Sequence, residues 1–128
     1  MSRVPARSTI DPMESVAYAV ALLPGQTEAS RLALTSCQLG RHRERYQDSR
    51  RRAGIIREAV WLQTAPGGDL AVVYLEADDL GTAFTMLGTS PEPFDRWFRD
   101  HLGQVHGITL TKDFAAPELL LDFDTNRF

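Results

Sequence analysis

The chain has 128 residues, of which 43% are hydrophobic and 24% are charged, and its formal net charge is −3. This length suits one domain with a single core, and the composition argues against intrinsic disorder and against a strongly basic nucleic-acid-binding protein. The one cysteine, Cys37, allows no intramolecular disulfide, and no apolar run approaches the roughly 20 residues of a membrane span, so we expect a cytoplasmic protein with no nucleic-acid or membrane partner.

The first predicted element is the strand "SVAYAVALL", residues 15–23. The preceding residues 1–14 are polar and contain Pro5 and Pro12, which indicates a flexible N-terminal tail. Both faces of the strand are apolar, which predicts a central strand covered on both sides. We expect one domain over residues 15–124 and a short C-terminal tail over residues 125–128.

A single long helix is predicted next, ending at Gly54. Thr27 can cap it through the side-chain oxygen, and small residues follow one side at helical spacing. Its second half, "RHRERYQDSRRRAG", can form a phosphate-binding patch. Cationic side chains near a helix C-terminus also suit the helix dipole, so we predict a solvated helix end.

Two β-rich runs, "IIREAVWLQT" and "LAVVYLEA", are joined by "APGGD" and predict a β-hairpin. In the first run, alternation places Glu58 on one face with Ile56, Val60 and Leu62. A carboxylate on an apolar strand face must be paired or protonated if it is buried. Glu58 is therefore a pocket candidate, and the alternative is an edge strand with Glu58 in solvent.

The second crossover is predicted as two helices, the first capped by Asp78 or Asp79 and the second by Ser90. On the second helix the apolar face collects Phe94, Phe98, His101, Leu102 and Val105, with Trp97 at its margin. The residues predicted to face solvent are Asp95, Arg96, Arg99, Asp100 and Gln104. His101 is either a core residue with one hydrogen bond or a ligand or base. The run "LLLDFD", residues 119–124, is predicted as the last strand.

The resulting order is β-α-β-β-α-β, which predicts an α+β, ferredoxin-like fold with helices on one face of a four-stranded antiparallel sheet. The other face would be apolar and exposed in a monomer. We therefore expect a homodimer that forms through this sheet face.

The segments "REAVWLQTAPGGDLAVVYLEADD" and "PFDRWFRDHLGQVHG" resemble the dimeric α+β-barrel superfamily over about residues 15–124. The resemblance is to an uncharacterised, stress-responsive and monooxygenase-like branch. It implies a pocket between helices and sheet, whose candidate lining is Tyr18, Glu58, Trp61, Tyr74, Trp97 and His101, although strand parity prevents all six from sharing one cavity. Haem-degrading members pair a helix histidine with an asparagine and a tryptophan, but the one asparagine here, Asn126, lies in the C-terminal tail.

Three function classes follow. The first is a protein that binds a small apolar molecule. The second is a cofactor-independent monooxygenase or isomerase for an aromatic or polyketide-like substrate, with His101 or Glu58 as proton acceptor. The third, an RNA-recognition module, shares the strand order, but "LAVVYLEA" offers one tyrosine and an acid where that class presents aromatic and basic residues. No metal-ligand spacing or phosphate loop is recognisable, so neither metal nor cofactor is predicted.

Overall fold

The computed structural model describes residues 13–109 and 116–127. These residues form an α+β structure with three strands, four α-helices and a short 3₁₀ helix, Thr125–Arg127. The elements in chain order are β1 (Glu14–Ala21), α1 (Thr27–Gln38), α2 (Arg43–Arg52), β2 (Ile55–Gln63), β3 (Leu70–Ala77), α3 (Leu80–Thr89) and α4 (Pro93–His106). β1 thus begins at the last residue of the predicted tail, one residue before the predicted start of the strand, and residues 1–12 of that tail lie outside the described residues.

The sheet is antiparallel, and its strand order is β1-β3-β2. The predicted hairpin of β2 and β3 is confirmed, with Glu58 opposite Leu75 and Val60 opposite Val73. On β3, Ala71, Val73, Leu75 and Ala77 are buried, whereas the intervening residues are only partly buried. The helices therefore cover one face of the sheet, and we call the other face the open face.

β1 is an edge strand within the described sheet, so the prediction of a central strand is wrong for these residues. Its small side chains on the open face, Ala17, Ala19 and Ala21, are exposed. The reason lies in residues 119–124, which form no strand although they were predicted as the fourth. Apolar alternation makes a strand only where a neighbouring strand supplies hydrogen bonds.

The predicted long helix is broken between Gln38 and Arg43. The chain turns back close to α1 at Gly40, where a Cβ atom would lie 2.9 Å from the Cα of Ser36. The cap prediction at Thr27 is also wrong. Thr27 is the first helical residue, and its hydroxyl donates instead to Asp69 Oδ2 at 2.7 Å, which ties α1 to the hairpin loop.

A register irregularity opens β2, where Ile55 lies opposite Ala77 and Arg57 opposite Glu76. Ile56 is consequently 55% exposed and does not share the face of Glu58, contrary to strict alternation. Ile55 instead packs against the buried cluster Ala53, Ala77, Ala83 and Leu87. A bulge of this kind turns the following side chains without interrupting the strand.

The helix ends of the second crossover follow the predicted chemistry in part. Asp79 caps α3 by accepting a hydrogen bond from the Thr82 amide at 2.8 Å. The N-cap of α4 is Glu92, not Ser90, and Gly107 ends that helix in the left-handed conformation with φ 69°. Glycine is suited to this position because other residues adopt positive φ only with strain.

Candidate functional site

A buried ion pair joins α2 to the sheet. Arg50 Nε donates to Glu58 Oε1 at 2.8 Å, and the exposed fractions of the two side chains are 8% and 13%. The Tyr46 hydroxyl donates to the same carboxylate oxygen at 2.6 Å. Glu58 is therefore paired and faces the helices, as a buried carboxylate on an apolar face requires.

The Arg50 guanidinium also lies between two aromatic rings. Its Cζ is 4.8 Å from the Tyr46 ring centroid and 4.4 Å from that of Phe98 on α4. Planar guanidinium groups stack on aromatic faces in this way, and the interaction strengthens where water is excluded. The prediction of a solvated helix end is thus wrong for Tyr46 and Arg50, because one side of α2 faces the sheet and α4.

A second buried carboxylate, Asp95, lies at the start of α4. Its two oxygens accept hydrogen bonds from Ser49 Oγ, from Ser90 Oγ at 2.6 Å and from Arg52 Nη1 at 3.0 Å. Burial would raise the pKa of Asp95, but the bonds from Ser49, Ser90 and Arg52 outweigh it and lower the pKa. Asp95 was predicted to face solvent. That prediction is wrong, because Ser49 and Arg52 on α2 and Ser90 before α4 surround its carboxylate with donors.

A pocket of about 70 Å³ lies between the helices and the sheet. Its sheet walls are largely aliphatic, with Ala71, Val73 and Leu75 at the centre. Helix residues close it with Leu34, Phe84, Leu87, Phe98 and Leu102. Its polar lining consists of Tyr18, Ser30, Arg50, Glu58, Asp95, Arg99, His101 and His106. Such a lining, mostly apolar with a few polar groups, is typical of small-molecule sites.

Burial keeps two titratable side chains of the pocket, Tyr18 and His101, uncharged at neutral pH. Burial and the nearby Glu58 charge raise the pKa of Tyr18 to about 12, so its phenol is protonated at neutral pH. Burial and the neighbouring His106 lower the pKa of His101, so its imidazole is neutral there. The His101 ring stacks on Trp97 at a centroid distance of 6.0 Å and an interplanar angle of 12°.

Three of the six candidate lining residues, Tyr18, Glu58 and His101, line this pocket. The other three lie elsewhere. Tyr74 is on the open face, where its hydroxyl donates to Glu76 Oε2 at 2.5 Å. Trp97 stacks against His42 with centroids 4.2 Å apart, and Trp61 is 55% exposed at the β2 edge. Strand parity separates Trp61 and Tyr74 from Glu58, because neighbouring residues on a strand point to opposite faces.

Arg99 was also predicted to face solvent, whereas it is partly buried and lines the pocket. Its Nη1 donates to the Leu87 carbonyl oxygen at 2.8 Å, near the end of α3. Two functional candidates, Arg50 and Arg99, were therefore missed by sequence reasoning. The sequence offered one signal that Arg50 is buried. Tyr46, the only Phe, Tyr or Trp of the arginine-rich stretch, lies four residues before Arg50 and so on the same side of the helix.

A separate open groove of about 430 Å³ runs along the β2 edge, next to α1. Its lining includes Leu34, Cys37, Tyr46, Val60 and Trp61. It shares Leu34, Glu58, Val60 and Phe98 with the pocket, so these side chains form the wall between the two spaces.

No family model, curated protein or solved structure matches the chain. Among the described residues, no group of three or more His, Cys, Asp and Glu side chains is placed to hold a metal ion. In the same part of the chain no helix has both the length and the apolar composition to cross a membrane.

Proposed function

We propose that the protein binds a small, largely apolar molecule in the pocket between the helices and the sheet. The observation that carries this proposal is the convergence of Tyr18, Arg99 and His101 on an otherwise aliphatic and aromatic cavity. The pocket has a volume of about 70 Å³, which is enough for a few water molecules. Only a compact part of a ligand can therefore be buried in it.

The polar lining favours a ligand with one hydrogen-bond-accepting group. The neutral His101 imidazole can donate from one nitrogen and accept at the other. Arg99 makes no ion pair with any described residue, whereas Glu58 and Asp95 are each paired with an arginine. A carboxylate or phenolic oxygen on an apolar body therefore fits this set of donors.

Proton transfer on an aromatic or polyketide-like substrate is the second candidate function, and the state of His101 favours it. A neutral, buried imidazole in a pocket wall can accept a proton from a bound ligand. Glu58 is less suited to this role, because Arg50 and Tyr46 already bind its carboxylate. A cofactor-independent monooxygenase or isomerase would use such a base.

The proposal also includes the ferredoxin-like, dimeric α+β-barrel arrangement and a cytoplasmic location. The open face supports a homodimer, because Ala17, Ala19, Ala21 and Trp61 are exposed there. In a barrel of this kind, two sheets pack through these faces and bury them.

Calorimetric titration with benzoate and phenol tests the binding function. We expect the native protein to bind at least one of these probes, and His101→Gln to raise the Kd about tenfold by removing a positioned hydrogen bond. Arg96→Ala, on an exposed residue of the same helix, is the matched control and should leave the Kd unchanged. Absence of binding by the native protein, or equal affinity of His101→Gln, would contradict the proposal.

A further inference from the structure

Two polar side chains of the pocket are buried without a hydrogen-bond partner among the described residues. Ser30 on α1 is 5% exposed and His101 on α4 is 7% exposed, and both line the pocket. His101 makes ring contacts with Trp97 and Phe98, which supply no hydrogen bond to its two nitrogen atoms. Buried polar groups are hydrogen-bonded in the great majority of cases, so two such groups on one cavity indicate a bound polar group.

Ser30 differs from the other hydroxyl residues of α1. Thr35 and Ser36 donate to carbonyl oxygens of the preceding turn at 2.8 Å and 2.6 Å. Thr27 donates to the Asp69 carboxylate at 2.7 Å. A helical serine can satisfy its hydroxyl on the preceding turn in the same way, but the Ser30 hydroxyl makes no such bond with a described residue. It is therefore available to a group in the pocket.

The two helices that carry these side chains run antiparallel to each other. The start of α1 contacts the end of α4, where Gln104 Nε2 donates to Gln26 Oε1 at 3.3 Å. The end of α1 lies near the first half of α4, because His42, just after α1, stacks on Trp97 with ring centroids 4.2 Å apart. Positions one turn further along α1 and one turn back along α4 therefore stay in step.

Ser30 and His101 occupy such a pair of positions. Ser30 lies four residues after Gln26, and His101 lies three residues before Gln104, which is about one helical turn in each case. The two side chains thus lie at the same level of the contact between α1 and α4, and both line the pocket. No hydrogen bond joins these two described side chains to each other, so a single group between them can bond to both.

The chemistry of the pair favours a hydroxyl group. Burial and the neighbouring His106 lower the pKa of His101, so at neutral pH one ring nitrogen donates and the other accepts. A ligand hydroxyl can donate to the accepting nitrogen and accept from the Ser30 hydroxyl, whereas a carboxylate brings no proton for that nitrogen. Arg99, which suits a carboxylate, lies about 200° from His101 around α4 and binds the Leu87 carbonyl oxygen toward α3.

From these observations we propose that Ser30 and His101 together bind one hydroxyl group of the ligand, at what we call the hydroxyl site, and so select phenols over aromatic molecules that lack a hydroxyl. The inference rests on the ligand pocket of the proposed function and names its ligand class. Leu34, Phe98 and Leu102 supply apolar walls for the body of the ligand. A cavity without polar partners would have the opposite preference, because burying a hydroxyl without a hydrogen bond is costly.

Calorimetric titration with phenol and toluene measures this selection, because the two probes share a ring and differ in the hydroxyl. We expect the native protein to bind phenol more tightly than toluene. Ser30→Ala should raise the phenol Kd about tenfold through the loss of one positioned hydrogen bond, and should leave the toluene Kd unchanged. Ser36→Ala is the matched control, since Ser36 lies on the same helix but does not line the pocket, and it should change neither Kd.

Thermal unfolding of the ligand-free proteins supplies a second readout. Ser36→Ala should lower the melting temperature by about 2–4 °C, because His42 Nδ1 loses the Ser36 oxygen at 2.9 Å. Ser30→Ala should not lower it, since the Ser30 hydroxyl bonds to no described residue and the gain in helix propensity is the same for both variants. An equal loss for the two variants would show that the Ser30 hydroxyl is bonded within the fold, and would overturn the hydroxyl site.

The two probes also separate failure of the hydroxyl site from failure of the pocket. Toluene that binds as tightly as phenol, or a phenol Kd unaffected by Ser30→Ala, would mean that water alone satisfies Ser30 and His101. Either result would overturn the hydroxyl site and leave the apolar pocket in place. Binding of neither probe would overturn both.

Discussion

Arg50 is the side chain on which the helix-facing site depends most. It pairs with Glu58, stacks between Tyr46 and Phe98, and donates from Nη1 to Ser49 Oγ at 3.0 Å. It therefore connects the β2 carboxylate to the Ser49–Asp95 hydrogen bond, so that both buried acids of the site belong to one network. A network of this kind is stable only when every member is satisfied.

Replacing Arg50 by alanine should lower the free energy of unfolding by about 3–5 kcal/mol, because Glu58 would be left as an unpaired buried charge. Denaturant unfolding followed by fluorescence measures this loss. Arg31→Ala is the control, since Arg31 pairs with Glu28 at the surface with exposed fractions of 48% and 72%, and such pairs contribute at most about 1 kcal/mol. Equal losses for the two variants would show that the Arg50 pair is not buried in solution.

The stability of the protein should fall as the pH decreases below about 6.5, in part through His101. The pKa of His101 is lowered in the folded state, so between the folded and unfolded values the unfolded chain binds more protons, and acid favours unfolding. His101→Gln should reduce the slope of unfolding free energy against pH between pH 5 and pH 7, a window on the order of the histidine titration range.

His42 acts in the same direction, because burial, Arg41 and Arg45 lower its pKa. His42→Gln therefore serves as the comparison, and the double variant should show a smaller slope than either single variant. A slope unchanged by His101→Gln would mean that this imidazole is not buried as the structure places it.

At the scale of elements, Asp95 fastens the start of α4 to α2. Ser49 and Arg52 reach it from α2, and Ser90 reaches it from the segment between α3 and α4. The carboxylate thus replaces a helix cap by linking three parts of the chain. This contact sets the phase of α4, which in turn directs Phe98, Arg99 and His101 to the site.

Asp95→Ala should cost about 3 kcal/mol of unfolding free energy, because buried hydroxyl and guanidinium donors lose their acceptor. Asp100→Ala, five residues later on the exposed side of the same helix, should change stability by no more than about 0.5 kcal/mol. Thermal and denaturant unfolding of the pair measure the difference. A larger loss for Asp100→Ala would show that the helix phase differs from the one described.

The elements themselves were largely predictable, because periodicity identifies a strand or a helix from neighbouring residues alone. The hairpin and the Asp79 cap were correct, because both depend only on neighbouring residues. The predicted strand at residues 119–124 was wrong, since an alternating pattern forms a strand only beside a partner strand. The break at Gly40 was also missed, because it depends on contact with Ser36 in the preceding helix.

The site was only partly predictable, because the burial of a charged residue depends on donors from other elements. His101 and Glu58 stood out as polar residues on apolar faces. Asp95 and Arg50 did not, because both lie among polar residues in the sequence. Asp95 binds Ser49 and Ser90, which are 46 and 5 residues away, and Arg50 binds Glu58 on another element. Serine near a helix end gives no sign that it will bind a buried carboxylate.

At the scale of the whole molecule, one copy leaves apolar side chains exposed on the open face and along the β2 groove, among them Ala17, Ala19, Val60 and Trp61. Exposed apolar surface of this kind often marks an interaction site. The proposed homodimer covers the open face by packing it against its own equivalent.

The melting temperature should consequently depend on protein concentration. If folding is coupled to dimerisation, each tenfold increase in concentration should raise the melting temperature by about 2–3 °C, because mass action stabilises the folded dimer of two 128-residue chains by about 1.4 kcal/mol. Ala19→Asp puts a charge on the open face, where Ala19 pairs with Val72, and should weaken the dimer and lower the melting temperature at every concentration. Scanning calorimetry over a hundredfold concentration range measures both effects. A melting temperature independent of concentration in the native chain would show that a monomer folds alone and that the open face remains exposed to solvent.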